Sequence, residues 1–108
     1  MPVVQRELEH PDASQIVMTE VLFALSDPQR LEIVRQVAHG PLEMAACGAT
    51  DPELPKSTKS HLMKVLREAG VIRNEPSGRC RYVTLRRDDL DARFPGLLDS
   101  VLAADEPR

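Results

Sequence analysis

The stretch from Lys56 to Leu85 constrains this chain more than any other, because its hydrophobic period changes abruptly partway along. In "KSTKSHLMKVLREAG" the apolar residues Leu62, Val65, Leu66 and Ala69 recur at i, i+3, i+4 and i+7, which predicts a helix over about 56–69. Gly70 supplies the stop. Immediately afterwards "VIRNEPSGRCRYVTL" takes over. Val71 and Ile72 begin one strand, Pro76, Ser77 and Gly78 make a turn, and Cys80 to Leu85 form a second strand rich in β-branched and aromatic residues. A helix therefore runs straight into a hairpin, at about 71–85.

Upstream the signals are helical. Residues 1–11 read as a loose tail ended by Pro11, and "DASQIVMTEVLFALS" follows as one helix. Asp12 can cap it, and Gln15 holds the reciprocal capping-box position. Its apolar residues, including Ile16, Val17, Val21 and Phe23, cover more than one stripe, so two faces need burying. "SDPQRLEIVRQVAHGP" is a second helix with Asp27 as N-cap, Pro28 at the first helical position and Leu31, Val34, Val37 and Ala38 as its stripe. Gly40 and Pro41 end it. "LEMAACG" reads as a short third helix closed by Gly48, and "ATDPELP" as a turn-rich loop. After the hairpin, "RRDDLDARFPGLLDSVLAAD" is helical again. Pro95 and Gly96 must kink it or cut it in two, and Asp88 and Asp89 sit where they could cap it. The expected organisation is a tail at 1–11, one domain at 12–104 and a C-terminal tail at 105–108. The domain is mostly α, with about five to six helices and a two-stranded hairpin. No internal repeat or low-complexity segment interrupts it.

The net charge of −3 conceals a strong asymmetry. Between Lys56 and Arg87 nine cations face two acids, a net +7, whereas the remainder holds five cations and fifteen acids, a net −10. One basic surface on an acidic body is the footprint of a phosphate-binding face, or else a solvated charge face with no partner. No run of about 18 apolar residues is present to span a membrane. The N-terminus lacks the apolar core of a secretory signal, and two cysteines do not make a disulfide framework, so the cytoplasm is the expected compartment, with the nucleoid when DNA is bound.

The 56–69 helix is polar at its front and apolar behind. Lys56, Ser57, Thr58, Lys59 and Ser60 open it. A helix that enters a DNA major groove by its N-terminal end wants such residues there. Short hydroxyls reach phosphates and base edges, lysines add charge, and the helix N-terminus favours phosphate. The alternative is a plain N-cap cluster with Ser57 as the cap. The hairpin arginines Arg79 and Arg81 favour the first reading, because a wing beside such a helix can touch the backbone or the minor groove.

Helix, turn, helix and then a two-stranded wing is the order of a winged helix-turn-helix. "FALSDPQRLEIV", "KSTKSHLMKVLREAGVI" and "GRCRYVTL" resemble the bacterial ArsR/SmtB-type winged-helix transcriptional repressors over roughly residues 12–104. The resemblance implies a homodimer on a palindromic operator in double-stranded DNA. It implies that the helix bearing Ser57, Thr58, Ser60 and His61 is the recognition helix, with Lys56, Lys59 and Lys64 beside them, and that the hairpin is the wing. It also implies that the first and last helices form the dimer interface, which here selects Ile16, Val17, Val21, Phe94, Leu97, Leu98 and Val101. The chain departs from the family's metal sensors. "LEMAACG" offers Cys47 alone where a Cys-x-Cys pair is usual, the last helix holds no His, and His10, His39 and His61 are scattered. No metal or other cofactor is therefore expected, and the effector stays unspecified. The loop "GATDPELP" is also longer than the family's tight turn.

Cys47 and Cys80 are either a redox pair or small fillers. Met44 and Met63 read as core. No nucleophile with a base, phosphate loop or paired carboxylates points to an enzyme. The rival reading is a winged-helix protein-interaction module that docks an acidic partner and does not use DNA.

Overall fold

Asp12 caps a helical turn as the sequence predicts, but the helix it starts is brief, and His10 and Pro11, expected within the loose tail, are bonded to Asn74 and Arg86 instead. In the computed structural model, which describes residues 8–43, 56–77 and 80–104, Asp12 caps a 3-10 turn at Ala13–Gln15, with both halves of the capping box formed. The chain then straightens at Ile16 and Val17, and helix α1 begins only at Met18, running to Leu25. The single helix expected over this stretch is thus two pieces. The cause is tertiary. Ile16 takes an extended backbone that drives its side chain into the core, and the Arg93 guanidinium donates to the Ile16 carbonyl at 2.6 Å, taking an acceptor a continuous helix would use.

Helix α2 spans Pro28–Ala38, with Pro28 in the first turn and the Asp27 carboxylate accepting from the N–H groups of Gln29 and Arg30 at 2.9 and 3.0 Å. Ile33, Val34 and Val37 are its buried apolar residues, so Ile33 joins the stripe read from the sequence, whereas Leu31 and Ala38 are only half-buried. Arg30 is buried as well, for a reason visible in its partners. Its Nε donates to the Ala24 carbonyl at 2.8 Å and Nη2 to the Phe23 carbonyl at 3.0 Å, which also accepts from Ser26, so the guanidinium bonds two carbonyls of the last turn of α1.

Leu42–Glu43 form strand β1 rather than the start of a third helix. They pair antiparallel with Val83 and Tyr82, and the Tyr82 hydroxyl donates to Glu43 Oε2 at 3.1 Å. The strand covers the second edge of the hairpin, which would otherwise expose unpaired backbone groups. The remainder of "LEMAACG", including Met44 and Cys47, and the loop through Pro55 lie outside the described residues.

Helix α3 spans Lys56–Ala69. Leu62, Met63, Leu66 and Ala69 are buried against α1 and α2, while Val65 is half-buried. Gly70 ends it at φ +90°, with its N–H on the Arg67 carbonyl and the Val71 N–H reaching back to the Leu66 carbonyl, both at 3.0 Å. That pair of bonds is the Schellman closure. Strand β2 (Ile72–Ser77) and strand β3 (Cys80–Leu85) follow, completing a three-stranded antiparallel sheet in the order β1-β3-β2. The hairpin is longer than the sequence suggested. Pro76 and Ser77 are paired strand residues opposite Arg81 and Cys80, and Gly78, expected in the turn, lies outside the described residues.

The last helix is cut as anticipated, into α4 (Arg87–Arg93) and α5 (Leu97–Ala104), with Gly96 at φ +83° between them. Asp88 and Asp89 lie in the first turn of α4 rather than at its cap. Ile16, Val21, Ile33, Val34, Leu66, Val71, Ile72, Val83, Leu90 and Leu98 are the largest fully buried side chains, so α1 to α5 and the hairpin contribute to one core. Among the described residues no helix is long and apolar enough to cross a membrane.

Candidate nucleic-acid interface

Burial along α3 separates two faces cleanly. Ser57, Ser60, His61 and Lys64 are exposed, and they stand at i, i+3, i+4 and i+7. Leu62, Met63, Leu66 and Ala69 occupy the opposite side, in the core. Thr58 and Lys59 lie at the border, half-buried. The hydroxyls and cations are therefore not a cap cluster alone. They continue for two turns as one outward ridge. Lys59 and Lys64 are ion-paired to no other described residue. Further along, the ridge turns acidic at exposed Glu68, so an anionic partner is favoured only over the N-terminal part of the helix. Lys56 is the first residue of the helix.

The other cations of the basic segment are largely neutralised inside the fold. Arg67 is mostly buried, 3.7 Å from Glu68. Arg86 is buried, with Nε and Nη2 donating to Asp89 at 3.0 and 2.8 Å and Nη1 to the Pro11 carbonyl at 2.8 Å. Arg73 lies 3.7 Å from the same Asp89, and Arg87 bonds Asp99 at 3.0 Å with Asp91 at 3.6 Å. The acids of α4 and α5 thus cancel much of the charge that sequence counting assigned to one basic surface.

The wing holds a further surprise. Register places Arg81 opposite Pro76, on the face of the hairpin shared with Asn74 and buried Val83. Its Nε donates to Asn74 Oδ1 and its Nη2 to the Asn74 carbonyl, both at 2.8 Å. The guanidinium is committed to the wing itself, not held out as the sequence reading supposed. Arg79 lies outside the described residues. Asn74 went unnoticed in the sequence, where a single polar residue in a strand carries no signal. On its other side its backbone N–H donates to His10 Nε2 at 3.0 Å, tying the N-terminal segment to the wing.

The seven residues expected at a dimer interface divide. Ile16, Val21 and Leu98 are fully inside the chain's own core, which corrects that expectation, because a core residue cannot meet a partner without opening the fold. Phe94, Leu97 and Val101 are half-buried, and Val17 is 46% exposed. Met18, Leu22 and Phe23, which sequence reasoning did not select, extend the exposed apolar surface of α1, with Leu22 45% and Phe23 63% exposed. Among the described residues no group of three or more His, Cys, Asp or Glu side chains is placed to hold a metal ion. Cys47 lies outside the described residues, so its relation to Cys80 does too.

No family model matches the chain. It is 33% identical over 87 residues to the uncharacterized HTH-type transcriptional regulator YceK of Bacillus subtilis (strain 168), covering 79% of this chain and 86% of that protein. Several solved structures are similar in fold. The transcriptional repressor BigR from Xylella fastidiosa superimposes with a TM-score of 0.63 at 20% identity, covering 83% of this chain and 87% of that one. An ArsR family transcriptional regulator superimposes with a TM-score of 0.62 at 19% identity, covering 83% of this chain and 98% of that one.

Proposed function

The chain belongs to the helix-turn-helix transcriptional regulators and has the ArsR-type winged-helix fold, and from that premise we propose a homodimeric repressor that reads an inverted-repeat operator. The observation that carries the reading is the outward ridge of Ser57, Ser60, His61 and Lys64, opposite the buried stripe of the same helix. In this reading α3 lies in the major groove. Ser60 and His61 meet base edges, and Lys56, Ser57, Thr58, Lys59 and Lys64 meet phosphates. The wing reaches the flanking backbone through Arg79, while Arg81 acts by holding the hairpin's shape.

The dimer buries the exposed α1 surface of Val17, Met18, Leu22 and Phe23, with Phe94, Leu97 and Val101 at its margin. Large apolar side chains grouped on one short helix favour a covered surface over a solvated one. The similarity to a repressor of the same fold supports the direction of regulation.

The test is selection from a random duplex library at about 150 mM salt, where nonspecific phosphate attraction is weak. An inverted repeat with half-sites about 10 base pairs apart, or a multiple, is the expected product. Recovery of unrelated sequences would defeat the operator reading.

A further inference from the structure

We propose that His10 is a positioning residue of the wing, whose neutral imidazole braces the outer edge of β2 and so makes DNA affinity depend on pH. The inference rests on the DNA-binding reading above and adds to it a residue remote from the recognition helix.

The bonds form a short relay. His10 Nε2 accepts the Asn74 N–H at 3.0 Å, and Asn74 receives Arg81 through both its side-chain and main-chain oxygens at 2.8 Å. Arg81 spans the hairpin, so the strand that carries Asn74 and the strand that carries Arg81 are held in one geometry. The residue after His10 is fixed too, because the Pro11 carbonyl accepts from Arg86 at 2.8 Å. A segment 64 positions upstream therefore clamps the middle of the wing.

An imidazole nitrogen accepts a hydrogen bond only while it is unprotonated. The groups around His10 favour that state. Burial and the neighbouring Arg73 of β2 depress its pKa from the ordinary 6.5, with Arg67 of α3 and Arg86 at the β3–α4 junction adding to the effect and Glu75 of β2 opposing it. A cavity of about 570 Å³ lined by Leu8, Glu9, Gln15, Arg67 and Glu68 beside His10 gives protons access. The sign follows from linkage. The released segment binds a proton more tightly than the docked one, so docking is complete above about pH 6.5 and fades as pH falls through the depressed value.

The experiment compares the full chain with His10→Gln, whose amide oxygen can accept at any pH. Binding to a fluorescein-labelled mixed-sequence duplex of about 30 base pairs is read by anisotropy between about pH 5.5 and 8, at one low salt concentration. The α3 ridge, His61 included, is common to both proteins, so the difference between the two profiles carries the result. Acidification should weaken the wild type relative to His10→Gln by roughly two- to tenfold, the equivalent of one hydrogen bond. In parallel, the Asn74 amide resonance of the wild type should follow the titration of the His10 ring, and that of His10→Gln should not move. Superimposable binding profiles, or an Asn74 amide indifferent to the His10 titration, would overturn the positioning role while leaving the DNA reading intact. Absence of duplex binding by both proteins at every pH would overturn the two together.

Discussion

Replacing Gly70 with alanine is expected to destabilise the fold by about 2–5 kcal/mol, through two separable effects. The first is conformational. Gly70 sits at φ +90°, and a left-handed backbone costs an L-residue about 1–2 kcal/mol. The second is steric. A Cβ at Gly70 would lie 2.6 Å from Ile16 Cγ1 and 2.8 Å from Cδ1, and Ile16 is fully buried, so a packed core side chain would have to shift. Overfilling a packed core of this kind costs about 1–3 kcal/mol. The assay is urea denaturation of the four proteins of a double-mutant cycle with Ile16→Ala. Removing the isoleucine branches deletes the clash but not the backbone strain. Gly70→Ala should therefore cost only about 1–2 kcal/mol in the Ile16→Ala background, leaving a coupling energy of about 1–3 kcal/mol. Additive effects within about 0.5 kcal/mol would refute the claim that the α3 terminus is locked against Ile16.

Four further outcomes are expected. Asp27→Ala should lower stability by about 1 kcal/mol in thermal unfolding, because it frees two N–H groups of α2, and an unchanged midpoint would show the cap to be dispensable. Arg30→Lys should be nearly as damaging as Arg30→Ala, since an ammonium cannot bond the Phe23 and Ala24 carbonyls in the fork geometry observed; rescue by lysine would count against that role. Lys64→Ala should flatten the salt dependence of DNA binding by about one unit without altering sequence preference, whereas His61→Ala should shift the preference, and indifference to both would remove the ridge from the interface. Leu22→Glu should leave a folded monomer in sedimentation velocity, while Leu98→Glu should unfold the chain, because only the first residue is exposed; a persistent Leu22→Glu dimer would place the interface elsewhere.

Features written in local sequence were readable before the fold was seen. Asp27, Pro28 and Gly70 announce helix ends by local stereochemistry, and the change of period after Gly70 announces the hairpin. Features that depend on distant partners were not. Nothing near Ile16 tells that Arg93 takes its carbonyl, so the first helix reads as continuous. Leu42 and Glu43 have no strand signature of their own and become β1 because β3 has an open edge. Charge counting sees Arg73, Arg86 and Arg87 as a basic surface and cannot see that Asp89, Asp91 and Asp99 fold back onto them. Of the proposed site, the polar front of α3 was legible because its helical register follows directly from the buried stripe. The His10–Asn74–Arg81 relay was not, since its members stand far apart in sequence and none belongs to a recognisable motif.

The central claim is that DNA meets the chain along the exposed face of α3. The most direct test is to add duplex DNA to isotope-labelled protein and follow the backbone amide resonances. The largest shifts should fall on Ser57, Ser60, His61 and Lys64, with smaller ones along the wing and none on the α1 surface around Leu22. Shifts centred on α1, with the α3 ridge silent, would contradict the account.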